Sequence, residues 1–81
     1  MDEITLDEVI EMLEDINDDP DYENCTTLID DQLLDSFDIL AIVSGAEEEF
    51  DVTIPAREII EENFNSAQAL CALFNRLANE D

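Results

Sequence analysis

Residues 32–40 read Gln-Leu-Leu-Asp-Ser-Phe-Asp-Ile-Leu. Turn-like sequence lies before this stretch and a helical pattern follows it, so a helix starts inside it. Asp35 or Ser36 supplies the start, because a short polar side chain accepts hydrogen bonds from amides that a first turn leaves unpaired. Ile39, Val43, Ala46 and Phe50 then recur at helical spacing, with Leu40 and Ile42 beside them. That pattern predicts a helix to about Phe50. Glu47, Glu48 and Glu49 near its end oppose the helix dipole, so local helix physics does not favour them. Gly45 lies in its interior and costs roughly 1 kcal/mol of helix preference relative to alanine.

Toward the N-terminus, Leu6, Val9, Ile10, Leu13 and Ile16 predict a helix over about Thr5–Ile16. Thr5 followed by Glu8 is the pattern of a capping box, and Ile4 with Val9 that of a hydrophobic staple. From Asn17 to Asp35 the periodicity breaks. Asn-Asp-Asp-Pro-Asp at 17–21 is turn chemistry, and Leu28, Ile29, Leu33 and Leu34 predict a long loop pinned to the core.

Toward the C-terminus, 51–55 form a short extended link, and Pro55 suits the first turn of a short helix over roughly Ala56–Glu62. Asn63-Phe64-Asn65 reads as a break. A last helix follows over about Ser66–Ala78, capped by Asn65 or Ser66, with Leu70, Leu73, Phe74 and Leu77 on one face. The expectation is an all-α chain, one domain over 1–81. It is a small four-helix bundle of three longer helices and a short third, with a long loop between helices 1 and 2.

The chain has 81 residues and is 46% apolar, enough for one small core. Its 24 acids against two arginines give a net charge of −22. Such a surface repels nucleic acid and anionic membrane and attracts basic protein surfaces. With neither histidine nor lysine there is no imidazole base and no Schiff base, so an enzyme is not expected. No apolar run reaches about 20 residues, and the opening MDEITLDEV has the wrong charge for a secretory signal, so cytoplasmic residence is expected. Cys25 and Cys71 form no CxxC. Cys71 reads as a small core residue and Cys25 as a loop thiol, with no disulfide expected in the cytosol.

Ser36 has two readings. It is a helix start, which Asp-Ser alone supports, or it is a point of attachment. A phosphodiester there would face the unpaired amides and the positive end of the helix dipole, while Asp35 and Asp38 would offer carboxylates to Mg²⁺ or to an attaching enzyme.

The wider pattern adds to this. Leu33-Leu34-Asp35-Ser36-Phe37-Asp38, then 47–55 (EEEFDVTIP), then 62–68 (ENFNSAQ) make the chain from Leu28 to Phe74 resemble the acyl carrier proteins and the peptidyl and D-alanyl carriers. The resemblance implies that Ser36 accepts 4′-phosphopantetheine from coenzyme A, delivered by a separate phosphopantetheinyl transferase that uses Mg²⁺. The arm then carries acyl or aminoacyl thioesters between the acyl-loading and acyl-processing enzymes of a fatty-acid, polyketide or related pathway. It implies that Asp35 and Asp38 serve transferase recognition, and that Phe37, Glu47 and Glu48 (with Glu49 beside them) meet partners bearing basic docking patches. It implies also that the core can part between the second and third helices to shelter an acyl chain. LLDSF is closer to the D-alanyl and peptidyl carriers, and EEEFDVTIP to the fatty-acid type. No resident metal, nucleic acid or membrane is expected, and the chain is expected to be a monomer.

Two other readings of the acids stand beside this one. The first is an interaction protein that mimics the charge of DNA. The second is a calcium loop over Asp15–Glu23, which lacks the central glycine and the terminal glutamate of such loops.

Overall fold

The computed structural model describes residues 3–79, so the outermost positions of the expected 1–81 domain lie outside the described residues. Four α-helices follow in order: α1 (Leu6–Ile16), α2 (Ser36–Phe50), α3 (Glu61–Phe64) and α4 (Ala67–Asn79), with a 3-10 turn at Ala56–Glu58. The chain is a small helical bundle, with three longer helices and a short third. α1 packs against both α2 and α4, and α3 packs against α4.

The caps explain where the long helices start. Thr5 Oγ1 accepts from the Glu8 amide at 3.2 Å, and Glu8 Oε1 accepts from the Thr5 amide at 3.1 Å, which closes the expected capping box. At α4 the Ser66 hydroxyl accepts from the Ala69 amide at 3.0 Å. Asn65 is therefore free for another task. Its side-chain oxygen accepts from the amides of Ile29 and Asp30 at 2.9 and 3.2 Å, and its carbonyl accepts from the Leu28 amide at 2.9 Å. The long loop is thus stitched to the α3–α4 junction.

One core gathers Val9, Met12 and Leu13 from α1, Ile42 and Ala46 from α2, and Leu70, Leu73 and Phe74 from α4. Leu13, Ile42, Leu70 and Phe74 are wholly buried, each contributing about 1.5–3 kcal/mol relative to exposure. The Phe50 and Phe74 rings meet tilted at 39° with centroids 5.8 Å apart. The loop adds Tyr22, Leu28 and Leu34 to the same core. Leu33, expected among the pinned residues, is exposed instead. Gln32 turns the chain in the left-handed region (φ 58°), after which the amides of both Leu33 and Leu34 donate to the Leu28 carbonyl.

Gly45 has a packing reason that offsets its helical cost. A Cβ at this position would stand 2.8 Å from Met12 Sδ, so glycine leaves room for that thioether of α1 against α2.

The third helix differs from the expectation. Residues 56–62 do not form one helix. Ile59 (φ −84°, ψ 75°) and Ile60 (φ −127°, ψ 156°) leave helical geometry and separate the 3-10 turn from α3. Asn63 and Phe64, read as a break, lie inside α3. Asn63 Nδ2 donates to the Glu58 carbonyl at 2.8 Å, and Phe64 is anchored in the core. Two adjacent β-branched residues with exposed side chains have weak helix preference, and the buried Phe64 draws the helical turn downstream.

Candidate functional site

The start of α2 is capped by Asp35. Its extended backbone turns Oδ1 onto the Asp38 amide at 2.9 Å, while Asp38 Oδ2 accepts from the Asp35 amide at 3.2 Å. Two carboxylates therefore take both halves of the capping box. Asn17 braces the arrangement from the end of α1, with Nδ2 donating to Asp38 Oδ2 and to the Leu33 carbonyl, both at 3.3 Å. Asn17 is itself held through its carbonyl by the Tyr22 hydroxyl, which also donates to the Leu13 carbonyl at 3.3 Å.

Ser36 is the first residue inside the helix and is exposed. Because Asp35 does the capping, the Ser36 hydroxyl has no hydrogen-bond partner among the described residues. Its oxygen stands in solvent beside amides that the dipole makes attractive to an anion.

Phe37, next to it, is 80% exposed, and Leu40, one turn on, is 61% exposed. Residues three apart share a helix face, so these two form an apolar patch beside Ser36. Leu40, expected beside the core stripe, is instead on the exposed face. Its exposure would have been legible by placing it with Phe37 opposite Ile42. Glu47, Glu48 and Glu49 are also exposed, but they lie at the far end of α2. At 1.5 Å per residue, Glu47 is about 16 Å along the axis from Ser36. The fold thus brings Asp35, Ser36, Phe37 and Asp38 together and keeps the glutamates as a separate acidic end.

One turn after Ser36, Ile39 enters the wall of a small cavity of about 90 Å³, lined also by Ile29, Ile59, Ile60, Glu61 and Phe64. It lies between the long loop, α2 and the segment that carries α3. Five of these six side chains are apolar, and ordinary ligand pockets run about 300–1,000 Å³, so only a few carbons fit as the walls stand.

Charge and burial shift several titrations around these elements. Burial first, and then the charges of Asp38, Glu14, Asp18 and Asp19, push the Tyr22 phenol up to about 12. Burial raises the Cys71 thiol, helped by the Glu3 charge. Cys25 and Cys71 are both free thiols. Among the described residues no group of three or more acids or cysteines is placed to hold a metal ion. No described helix is long and apolar enough to cross a membrane. No family model, curated protein or solved structure matches this chain.

Proposed function

We propose that this chain is an acyl carrier, with Ser36 bearing 4′-phosphopantetheine and the thiol of that arm holding acyl or aminoacyl groups. The observation that carries the reading is the Ser36 hydroxyl: exposed, unpartnered, and at the head of a helix already capped by Asp35. In the attaching step Ser36 Oγ loses its proton and forms a P–O bond to the phosphate next to pantetheine in coenzyme A. The pyrophosphate P–O bond breaks, and adenosine 3′,5′-bisphosphate leaves. A phosphopantetheinyl transferase supplies the Mg²⁺ and the base, and Asp35 and Asp38 offer it carboxylates at the rim. The resulting phosphodiester sits where the helix dipole favours an anion.

The carrier has no reaction of its own. A thioester keeps its acyl carbon electrophilic, and the tether raises the local concentration of cargo at each partner enzyme. Phe37 and Leu40 supply apolar contact near the arm, and Glu47 and Glu48 meet basic patches on partners. The cavity at Ile39 shelters the first carbons of an apolar cargo. The cytoplasm, where coenzyme A is available, is the compartment in this reading.

The net charge of −22 favours a second reading, an acidic interaction protein that mimics DNA charge. Incubation with coenzyme A and a broad-specificity transferase separates the two. On the carrier reading the intact mass rises by one phosphopantetheine group, and Ser36→Ala abolishes the gain. A wild type left unmodified under conditions that load a control carrier overturns the reading.

A further inference from the structure

Ile54 and Phe64 are buried, and between them residues 55–63 contain no buried side chain. This strap holds the 3-10 turn and the start of α3, and through Ile59, Ile60 and Glu61 it forms one wall of the apolar cavity. Ile29 and Ile39 stand on the loop and α2 walls. A wall with no buried anchor of its own opens more readily than the core behind it.

Two charged side chains of the strap reach other elements. Glu58 is gripped by Arg76 of α4, with Nη2 to Oε1 at 2.6 Å and Nη1 to Oε2 at 3.2 Å. This two-pronged, charge-assisted geometry is stronger and more directional than a single neutral hydrogen bond. The hydrogen bond from Arg76 is the leading cause of a lowered Glu58 pKa. Arg57, the chain's other arginine, lies 3.9 Å from the same carboxylate and, like it, belongs to the strap. At the cavity mouth, Glu61 faces Asp30 of the long loop. A side-chain hydrogen bond with Asp30 first, and then the Asp30 charge, raise the Glu61 pKa. The Glu58–Arg76 contact is the ion pair that ties this wall to α4.

We propose that the Glu58–Arg76 pair is a latch on the movable wall of this cavity and sets the size of apolar chain that the cavity admits. The ligand class is an unbranched aliphatic chain, because isoleucines and Phe64 line the space and no cation faces it. With the latch closed the volume of about 90 Å³ limits entry to a few carbons. With the latch broken the strap swings out about its ends at Ile54 and Phe64. Where Ser36 bears an acyl group the latch sets the length of cargo held inside, and this last clause alone rests on the carrier reading.

The test uses the full, unmodified chain and the neutral apolar dye N-phenyl-1-naphthylamine, which the acidic surface does not repel. Glu58→Gln and Arg76→Gln change net charge in opposite directions and break the same latch. Each is expected to raise dye affinity on the order of threefold, as loss of a partly exposed ion pair allows. Each is also expected to speed amide exchange in 55–63 while α1 and α4 stay protected. The charge-reversed double variant, Glu58→Arg with Arg76→Glu, is expected to return both readouts toward wild type. Dye affinity equal in wild type and single variants, no dye binding in any of them, or a double variant that behaves like the singles overturns the proposal. Faster exchange spread over the whole bundle does so too, since it marks a general loss of stability. The result is independent of whether Ser36 is loaded.

Discussion

Two serines stand at two helix starts and do opposite things. Ser66 is nearly buried and spends its hydroxyl on the Ala69 amide, closing the first turn of α4. Ser36 lies one position further into its helix, exposed, because Asp35 has already taken the corresponding amide of Asp38. The surroundings differ in the same sense. The α4 start is fastened to the long loop through Asn65, whereas the α2 start is braced from behind, by Asn17 on Asp38 and on the Leu33 carbonyl. A hydroxyl is left without a partner when a neighbour does its structural work.

The largest stability effect expected from this contrast is at the buried serine. Ser66→Ala removes the cap and leaves the Ala69 amide unpaired in a half-buried place. It should lower the unfolding free energy by about 1–2 kcal/mol. Ser36→Ala removes an exposed group with no partner and should stay within about 0.5 kcal/mol of wild type. Urea unfolding followed by circular dichroism measures both. If the two alanines cost the same, the Ser36 hydroxyl has structural work after all, and the contrast between the helix starts fails. On the carrier reading, Ser66→Ala, as long as it remains folded, should accept phosphopantetheine as the wild type does.

A second probe reaches the brace behind Ser36. The Tyr22 hydroxyl holds the carbonyls of Leu13 and Asn17, and Asn17 in turn holds Asp38. Tyr22→Phe keeps the buried ring and removes those bonds, so it should cost about 1 kcal/mol at pH 8. The pH dependence fixes the origin of the loss. The phenol is raised from its usual 10 to about 12, so the fold favours its neutral form. That contribution is fully present below pH 10 and is lost as pH rises from 10 toward 12. The stability gap between wild type and Tyr22→Phe should therefore narrow over that interval. The raised Cys71 thiol titrates in both proteins and cancels in the difference. Unfolding curves at pH 8, 10 and 11.5 provide the check, and a gap constant with pH would remove Tyr22 from the brace.

α1, α2 and α4 were legible because each combines several apolar residues at helical spacing with a polar cap at its head. The short third element was not, since Ile59-Ile60 is too brief a pattern to separate helix from strap, and the position of Phe64 in the core decides the matter. Tyr22 is one aromatic residue in a run of acids, and its burial depends on carbonyls that only the folded α1 presents. The cost of Gly45 was visible, but its compensation was not, because Met12 lies on another helix. At the candidate site the sequence narrowed the cap to Asp35 or Ser36. Which of the two does the capping depends on backbone geometry, and that choice leaves Ser36 open. The pairing of Glu58 with Arg76 carries no local signal at all.

The smallest expected effect separates the two roles of Asp35. Asparagine caps a helix about as well as aspartate, because the same side-chain oxygen accepts the Asp38 amide. Asp35→Asn gives up a favourable charge at the positive end of α2, but it also relieves the repulsion between two carboxylates that share one capping box. These terms are similar in size and opposite in sign, so stability should move by no more than about 0.5 kcal/mol. Asp35→Ala removes the cap itself and should cost about 1 kcal/mol. If Asp35 also presents a carboxylate to the transferase, the two variants diverge in a second way. Asp35→Asn should load Ser36 several-fold more slowly while it unfolds like wild type. Equal loading rates for Asp35→Asn and wild type would reduce Asp35 to a cap. They would leave the exposure of Ser36, and not the charge beside it, as what marks the start of α2 apart from the start of α4.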